Sequence, residues 1–194
     1  MTIRERPLFT DTFSKVNDFI PEMGSAYIFG ASTEERSIHI QEWESKTNNV
    51  SFVRITDQQP MHFKIDINNN EEEYSLRTLS QLNRLLSPLS SKTIYIDITG
   101  LSHHIWAPLL KMALTLCNEV KAVYVEPARY RYSATPKEGE IFDLSERISG
   151  ISTIPGFISF REPAEEEKVC LVPLLGFEGT RFAYVVEQVQ PPGD

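Results

Sequence analysis

The feature that most constrains the fold is a repeated order of segments: an apolar run, a turn with small or polar residues, and a helical stretch. It is clearest at KTIYIDITG (92–100), which a helical pattern over 102–117 follows. Comparable apolar runs occupy 26–30, 121–126 and 169–175. Unbroken apolar strands that alternate with helices favour a parallel sheet covered on both faces. We therefore predict an α/β fold, a Rossmann-like open sheet that is mainly parallel, with helices on both faces and these four strands near its centre.

The remaining segments fit around this sheet as parts of a single domain over 1–194. The first 24 residues are predicted to be an N-terminal leader, and 128–168 an irregular insertion rich in charge, Gly and Pro. The run NNNEEE (68–73) is predicted to be a solvated loop that leads into a helix over 74–86. Further predicted elements are a helix over 34–46, strands at 50–56 and 61–67, and a final helix over 179–190.

Composition narrows the class of protein. With 41% hydrophobic and 24% charged residues, the chain is too apolar to be disordered, and no apolar run approaches the roughly 18 residues of a membrane span. No secretory signal is visible at the start of the sequence. The net charge of −8 argues against a large cationic surface for duplex DNA and favours protein partners. Cys117 and Cys170 lack metal-ligand spacing, so we expect a reducing cytoplasmic setting, no metal and no cofactor.

Candidate site residues follow from topology, because ligands of open α/β sheets lie beyond the carboxyl ends of the strands. Four strand-end loops qualify, at 30–36, 97–104, 126–132 and 176–181, and several of them precede helix N-termini that favour anions. The candidate ligand-binding residues are Gly30, Ser32, Arg36, Asp97, Thr99, Gly100, His103, Glu126, Arg129, Tyr130, Arg131, Gly176, Glu178 and Arg181.

Each candidate has a structural alternative. The glycines could serve tight turns, and Ser32 could cap a helix. Asp97 could accept a ligand hydroxyl, hold a metal or cap its own turn. His103 could do acid–base work or simply open a helix. The chain has no GxGxxG or Walker A motif for binding phosphate and no GxSxG motif for a serine nucleophile. Sequence motifs therefore do not decide between the functional and the structural role of each candidate.

The segment 129–132, Arg-Tyr-Arg-Tyr, has the side chains in this sequence that are best suited to binding a nucleotide. On an extended segment the arginines would share one side and the tyrosines the other. Arginine can grip a phosphate with two hydrogen bonds, and tyrosine can stack on a base. We expect Arg129, Arg131 and Arg181 to lie at the same edge of the sheet. The alternative is an exposed insertion whose tyrosines pack on the domain.

Three strand-end segments give the chain a resemblance to Rossmann-like proteins of bacterial antiviral systems: YIDITG with LSHH, VYVEPARYRY, and LVPLLGFEGTR. The layout is similar to that of CRISPR-associated Rossmann-fold (CARF) sensor domains. In that family a polar turn after an early strand and a Thr-Gly turn after a later one line the site, and the matches here are Gly30-Ala31-Ser32 and Thr99-Gly100. The resemblance implies a cyclic oligonucleotide bound in loops above the sheet.

These observations favour a non-catalytic module for nucleotide sensing or protein interaction, within a bacterial antiviral defence assembly that has a separate effector. One alternative is an enzyme of nucleotide or nucleoside chemistry, a hydrolase or a glycosyl-transferring enzyme, which would use Asp97, Glu126 or Glu178 as acid, base or nucleophile. Another is a purely structural subunit, in which all four loops are only turns.

Overall fold

The computed structural model describes residues 9–31, 37, 39–67, 70–126, 152–157, 172 and 185–187. The chain divides into two compact units, Met1–Arg129 with Ile154–Phe157, and Tyr130–Thr153 with Ile158–Asp194. In the second unit, residues 185–187 are helical. The sheet and the longer helices described below all belong to the first unit.

The first unit contains six strands and three α-helices in the described residues. In chain order they are β1 (Ala26–Gly30), α1 (His39–Lys46), β2 (Ser51–Gln59), β3 (His62–Ile67), β4 (Asn70–Ser75), α2 (Leu79–Leu86), β5 (Thr93–Asp97), α3 (His103–Leu116) and β6 (Glu119–Val123). Short 3₁₀ helices occupy Val16–Asp18 and Ser87–Leu89.

The strands form one sheet in the order β4-β3-β2-β1-β5-β6. Strands β2, β1, β5 and β6 are mutually parallel, whereas β3 and β4 extend the sheet beyond β2 as antiparallel strands. The predicted α/β class with a mostly parallel sheet is therefore confirmed for the described residues. Parallel neighbours require crossover connections, and α1 supplies the one between β1 and β2.

The two faces of the sheet are chemically different because successive side chains of a strand alternate between them. Tyr27, Phe29 and Tyr95 project to the face that α1 covers with Ile40 and Trp43. We call these five residues the aromatic cluster; Tyr27 lies 5.6 Å from Trp43 and 5.9 Å from Tyr95 between ring centroids. The opposite face is mainly aliphatic and is covered by α2 and α3, through residues that include Ile28, Ile94, Ile96, Leu82, Leu86, Ile105 and Leu109.

A charged group lies on the rim of the aromatic cluster. The Lys121 ammonium contacts Glu22 at 2.6 Å and Glu119 at 3.1 Å, and it lies 5.3 Å from the Tyr95 ring centroid. The hydrogen bond from Lys121, against a smaller opposing effect of burial, lowers the pKa of Glu22. Partial burial would depress the pKa of Lys121, but hydrogen bonds to Glu22 and Glu119 raise it overall. This group ties the segment before β1 to β6.

The prediction for residues 68–86 is wrong in part. Residues 70–75 form strand β4 rather than a loop and the start of a helix, and α2 begins at Leu79. Tyr74 explains the difference, because its buried ring stacks on Phe63 of β3 at 5.6 Å between centroids. The glutamates of β4 stay at the outer edge of the sheet, where Glu71 pairs with Lys64 at 3.2 Å. An edge strand tolerates such charges because one side of it faces water.

Strands β1 and β5 lie inside the sheet, as predicted, because each has a described strand on both sides. Among the described strands, β6 lies at the edge, and it ends at Val123 rather than 126. Of the predicted strand at 169–175 the structure describes Val172 alone, which has no regular secondary structure and is 73% exposed. The other residues of this predicted strand lie outside the described residues, so the strand at 169–175 stays a prediction. The structure describes no helix, in the ranges given above, of the length and apolarity needed to cross a membrane.

Candidate functional site

The parallel strands β1, β5 and β6 finish at one edge of the sheet, at Gly30, Asp97 and Val123, and we call this the carboxyl edge. The chain leaves β1 through α1 to β2 on one side, whereas β5 lies on the other side of β1. The topological switch point therefore falls between β1 and β5, which is where open α/β sheets bind ligands. Gly30, Asp97, Thr99 and Gly100 all lie at this point, and their position at the carboxyl ends of the strands is the one predicted from the sequence.

Gly30 allows the loop after β5 to close over the end of β1. A Cβ atom at position 30 would lie 2.0 Å from the carbonyl oxygen of Gly100, a separation that no real side chain accepts. Glycine is thus required at position 30 by a close backbone approach across the switch point. The Gly100 carbonyl of the Thr99–Gly100 turn thus lies directly against the end of β1.

Gln58, near the end of β2, holds this turn in place. Its Nε2 atom donates to the Gly100 carbonyl at 3.0 Å, and its Oε1 atom accepts from the Ser102 N–H at 2.7 Å. The adjacent Gln59 carbonyl accepts a hydrogen bond from the His104 Nε2 atom at 3.0 Å. Two hydrogen bonds therefore attach the loop from β5 to α3 to the end of β2, and a third attaches the first turn of α3.

Asp97 is the buried acid of the site, with no exposed surface. Its Oδ1 atom accepts from the Thr99 N–H at 2.8 Å, and its Oδ2 atom accepts from the Tyr27 hydroxyl at 3.0 Å. Burial, together with the carboxylate of Asp97, raises the pKa of Tyr27 far above its usual range, so this phenol stays a donor. Of the alternatives for Asp97, the geometry shows the turn-capping one: both oxygens serve the protein's own fold.

Thr99 links β5 to the segment after β6. Its hydroxyl oxygen accepts from the Val125 N–H at 2.9 Å, and the neighbouring Ile98 N–H donates to the Val123 carbonyl at 2.9 Å. The turn is therefore fixed from both sides, by Gln58 of β2 and by the end of β6. Thr99 and Gly100 remain half-exposed, so their outer surface still faces solvent.

The other described candidates occupy the periphery of the carboxyl edge. His103 is the first residue of α3, is exposed, and has its ring centroid 5.6 Å from that of Trp106. Glu126 is exposed and follows β6 by three residues. In the described part of the chain, no three His, Cys, Asp or Glu side chains come together as a metal site.

Eight of the candidate residues lie outside the described residues, so the shared edge predicted for the three arginines stays a prediction. They are Ser32, Arg36, Arg129, Tyr130, Arg131, Gly176, Glu178 and Arg181. The structure brings Gly30, Asp97, Thr99 and Gly100 together, with His103 and Glu126 at the margin.

Comparison with known proteins finds no match. No protein-family model, no curated protein and no solved structure matches this chain.

Two residues of this edge escape prediction from the sequence. Tyr27 is embedded in an apolar strand, and its one available signal is that a buried tyrosine hydroxyl usually finds a partner. Gln58 lies beyond the predicted end of its strand at 56, and no local sequence pattern indicates its role at the carboxyl edge. Its partners are 42 and 44 residues away in the sequence, so the signal is tertiary.

The chemistry of this edge suits recognition more than reaction. Asp97, the one fully buried acid among the described residues, is committed to Tyr27 and Thr99 by hydrogen bonds. Within the part of the chain that the structure describes, the surface left for a ligand is the outer side of the Thr99–Gly100 turn and the start of the 14-residue helix α3. A hydroxyl, backbone groups and the positive end of a helix dipole are groups that bind polar, anionic molecules.

Proposed function

We propose that the chain is a Rossmann-like, non-catalytic module that binds a nucleotide at its carboxyl edge and acts together with a protein partner. The observation that carries this proposal is the topological switch point between β1 and β5, built around a turn fixed by hydrogen bonds. The commitment of both Asp97 oxygens to the fold supports binding without catalysis.

The phosphate of a nucleotide is the best complement for the groups that remain free to bind. The N-terminus of α3 carries a partial positive charge, and the exposed His103 stands at its first turn. Thr99 can donate its hydroxyl proton outward, since its oxygen already accepts from Val125. These groups suit a phosphate, which cyclic oligonucleotides carry as a phosphodiester and mononucleotides carry as a monoester or anhydride.

The biological setting is proposed on the resemblance to CARF sensor domains together with the charge. A net charge of −8 favours a partner protein with a basic surface over a nucleic-acid duplex. We propose a cytoplasmic sensor or interaction subunit of a bacterial antiviral assembly, with the effector on a separate chain.

A thermal-shift panel tests the proposed function. AMP, ATP and cyclic di-AMP are added in turn, and each sample is then examined by chromatography for turnover. A ligand at 100 times its Kd stabilises the native state by about 2.7 kcal/mol, a shift of several degrees in Tm for a unit of this size. A shift with intact nucleotide supports sensing. Turnover would instead show an enzyme, and no shift with any probe would refute nucleotide binding.

A matched pair of variants locates the binding. Thr99→Val removes the hydroxyl at the carboxyl end of β5, and Thr93→Val makes the same change at its opposite end. We expect the first variant to lose the nucleotide-induced shift and the second to keep it. Equal shifts in both folded variants would place the ligand elsewhere.

A further inference from the structure

We infer that Gln58 is a positioning residue of the candidate site: its side chain holds the Thr99–Gly100 turn over the end of β1, and ligand affinity depends on that hold. The inference rests on the proposed function, because it assigns the residue that shapes the proposed nucleotide site. Gln58 belongs to none of the strand-end loops that the sequence nominates, since it lies in the part of β2 that outruns β1.

The first observation is where β2 carries this residue. The last residue of β1, Gly30, is paired with Ile55, so β2 continues for four residues beyond the end of its parallel neighbour. This extension is paired with β3 instead, including Gln58 with Phe63. A paired strand is a firm base for a side chain that has to reach across the exposed end of β1.

The second observation is a register irregularity between Ile55 and Asp57. Residues three apart on a regular strand point to opposite faces, so Gln58 would oppose Ile55. Cross-strand partners share a face, and the partner of Gln58 is Phe63, a member of the same hydrophobic cluster as Ile55. The irregularity therefore redirects Gln58 to the face where α3 begins. Bulges that re-aim a side chain are typical next to functional sites.

The third observation is the polarity of the two contacts. Gln58 donates to the Gly100 carbonyl and accepts from the Ser102 N–H, so each end of one carboxamide meets the group it needs. A carboxylate could keep the contact to Ser102 but would repel the carbonyl of Gly100. Leucine, of similar size, could make neither contact. Gln58→Leu therefore removes both hydrogen bonds, whereas Gln58→Glu removes only the one to Gly100.

Hydrogen–deuterium exchange on the ligand-free protein tests whether Gln58 keeps the Thr99–Gly100 turn in place. In Gln58→Leu we expect the amides of residues 100–102 to exchange at least about tenfold faster, because local opening no longer breaks two hydrogen bonds. Gln59→Leu is the matched control, since the exposed Gln59 side chain bonds to Asp57 at 2.7 Å and the Gln59 carbonyl still accepts from His104. We expect the control to exchange like the wild type, and Gln58→Glu to lie between the two.

Titration with AMP and cyclic di-AMP then tests the role at the ligand. We expect affinity for the bound probe to fall about tenfold or more in Gln58→Leu, less in Gln58→Glu, and not in Gln59→Leu. Should Gln58→Leu fail to fold, the Gln58→Glu variant supplies both measurements.

The outcomes separate this inference from the proposed function. Unchanged exchange at 100–102 in both Gln58 variants overturns the inference, and so does faster exchange with unchanged affinity. If neither probe binds the wild type, the proposed function fails, and the role of Gln58 at a nucleotide fails with it. Faster exchange would then show a structural clamp alone.

Discussion

Replacement of Gly30 by alanine tests the closure of the switch point most directly. The added Cβ would lie 2.0 Å from the Gly100 carbonyl oxygen and 2.9 Å from the Gln58 Nε2 atom. The first neighbour is backbone and is held on both sides, so the loop itself must withdraw by more than an ångström to reach an ordinary contact. That movement breaks the two hydrogen bonds of Gln58 with Gly100 and Ser102.

We expect Gly30→Ala to lower the free energy of unfolding by about 3 kcal/mol, from about 1 kcal/mol for each broken hydrogen bond and at least about 1 kcal/mol of remaining overpacking. Urea denaturation followed by tryptophan fluorescence measures it, because both tryptophans of the chain, Trp43 and Trp106, lie in the first unit.

Gly24→Ala is the control for the glycine change itself. A Cβ at position 24 meets nothing within 4 Å, but the backbone there has φ +85°, so this variant carries strain of about 1–2 kcal/mol without a collision. Adding Gln58→Leu to Gly30→Ala should cost less than the sum of the single changes, since the loop is already released. A Gly30→Ala variant no less stable than Gly24→Ala would refute the reasoning.

Two further predictions concern the aromatic face of the sheet. Tyr27→Phe should destabilise the protein by about 1–3 kcal/mol in the same urea assay, because it leaves an oxygen of the buried Asp97 without its donor; a loss under about 0.5 kcal/mol would contradict that. The second prediction is a pH dependence. Because the pKa of Glu22 is lowered in the folded state by the hydrogen bond from Lys121, its stabilisation is present above the ordinary value of 4.5 and is lost as the pH falls through the folded value. The Tm of the wild type should therefore exceed that of Glu22→Gln at pH 7 and converge with it in acid, and a constant difference would rule out this linkage.

The parts of the fold that follow from local pattern are predictable from sequence. Helix α3 occupies 103–116 against a predicted 102–117, because a long apolar period with a polar start specifies it. Strands β1 and β5 follow equally from unbroken apolar runs. Strand β4 does not, because three consecutive glutamates suggest a loop unless the stacking of Tyr74 on Phe63 is known. That contact is tertiary, and the β-strand propensities of the individual residues do not predict it.

The candidate site shows the same division. Topology alone places Gly30, Asp97, Thr99 and Gly100 at one edge, since parallel strands end together. The closure of Gly30 under Gly100 spans 70 residues of sequence, and the attachment through Gln58 depends on a register irregularity in β2. Contacts of that range depend on packing geometry that no local window of sequence contains.

The acidic outer strand has a consequence for assembly. β4 presents Glu71, Glu72 and Glu73 at a sheet edge that has no strand partner among the described residues. A second copy that approached this edge in antiparallel register would set glutamate against glutamate, and like charges directly opposite each other destabilise a strand pair. The sheet is thus protected against growth into fibres from this side by the repulsion between the two sets of carboxylates.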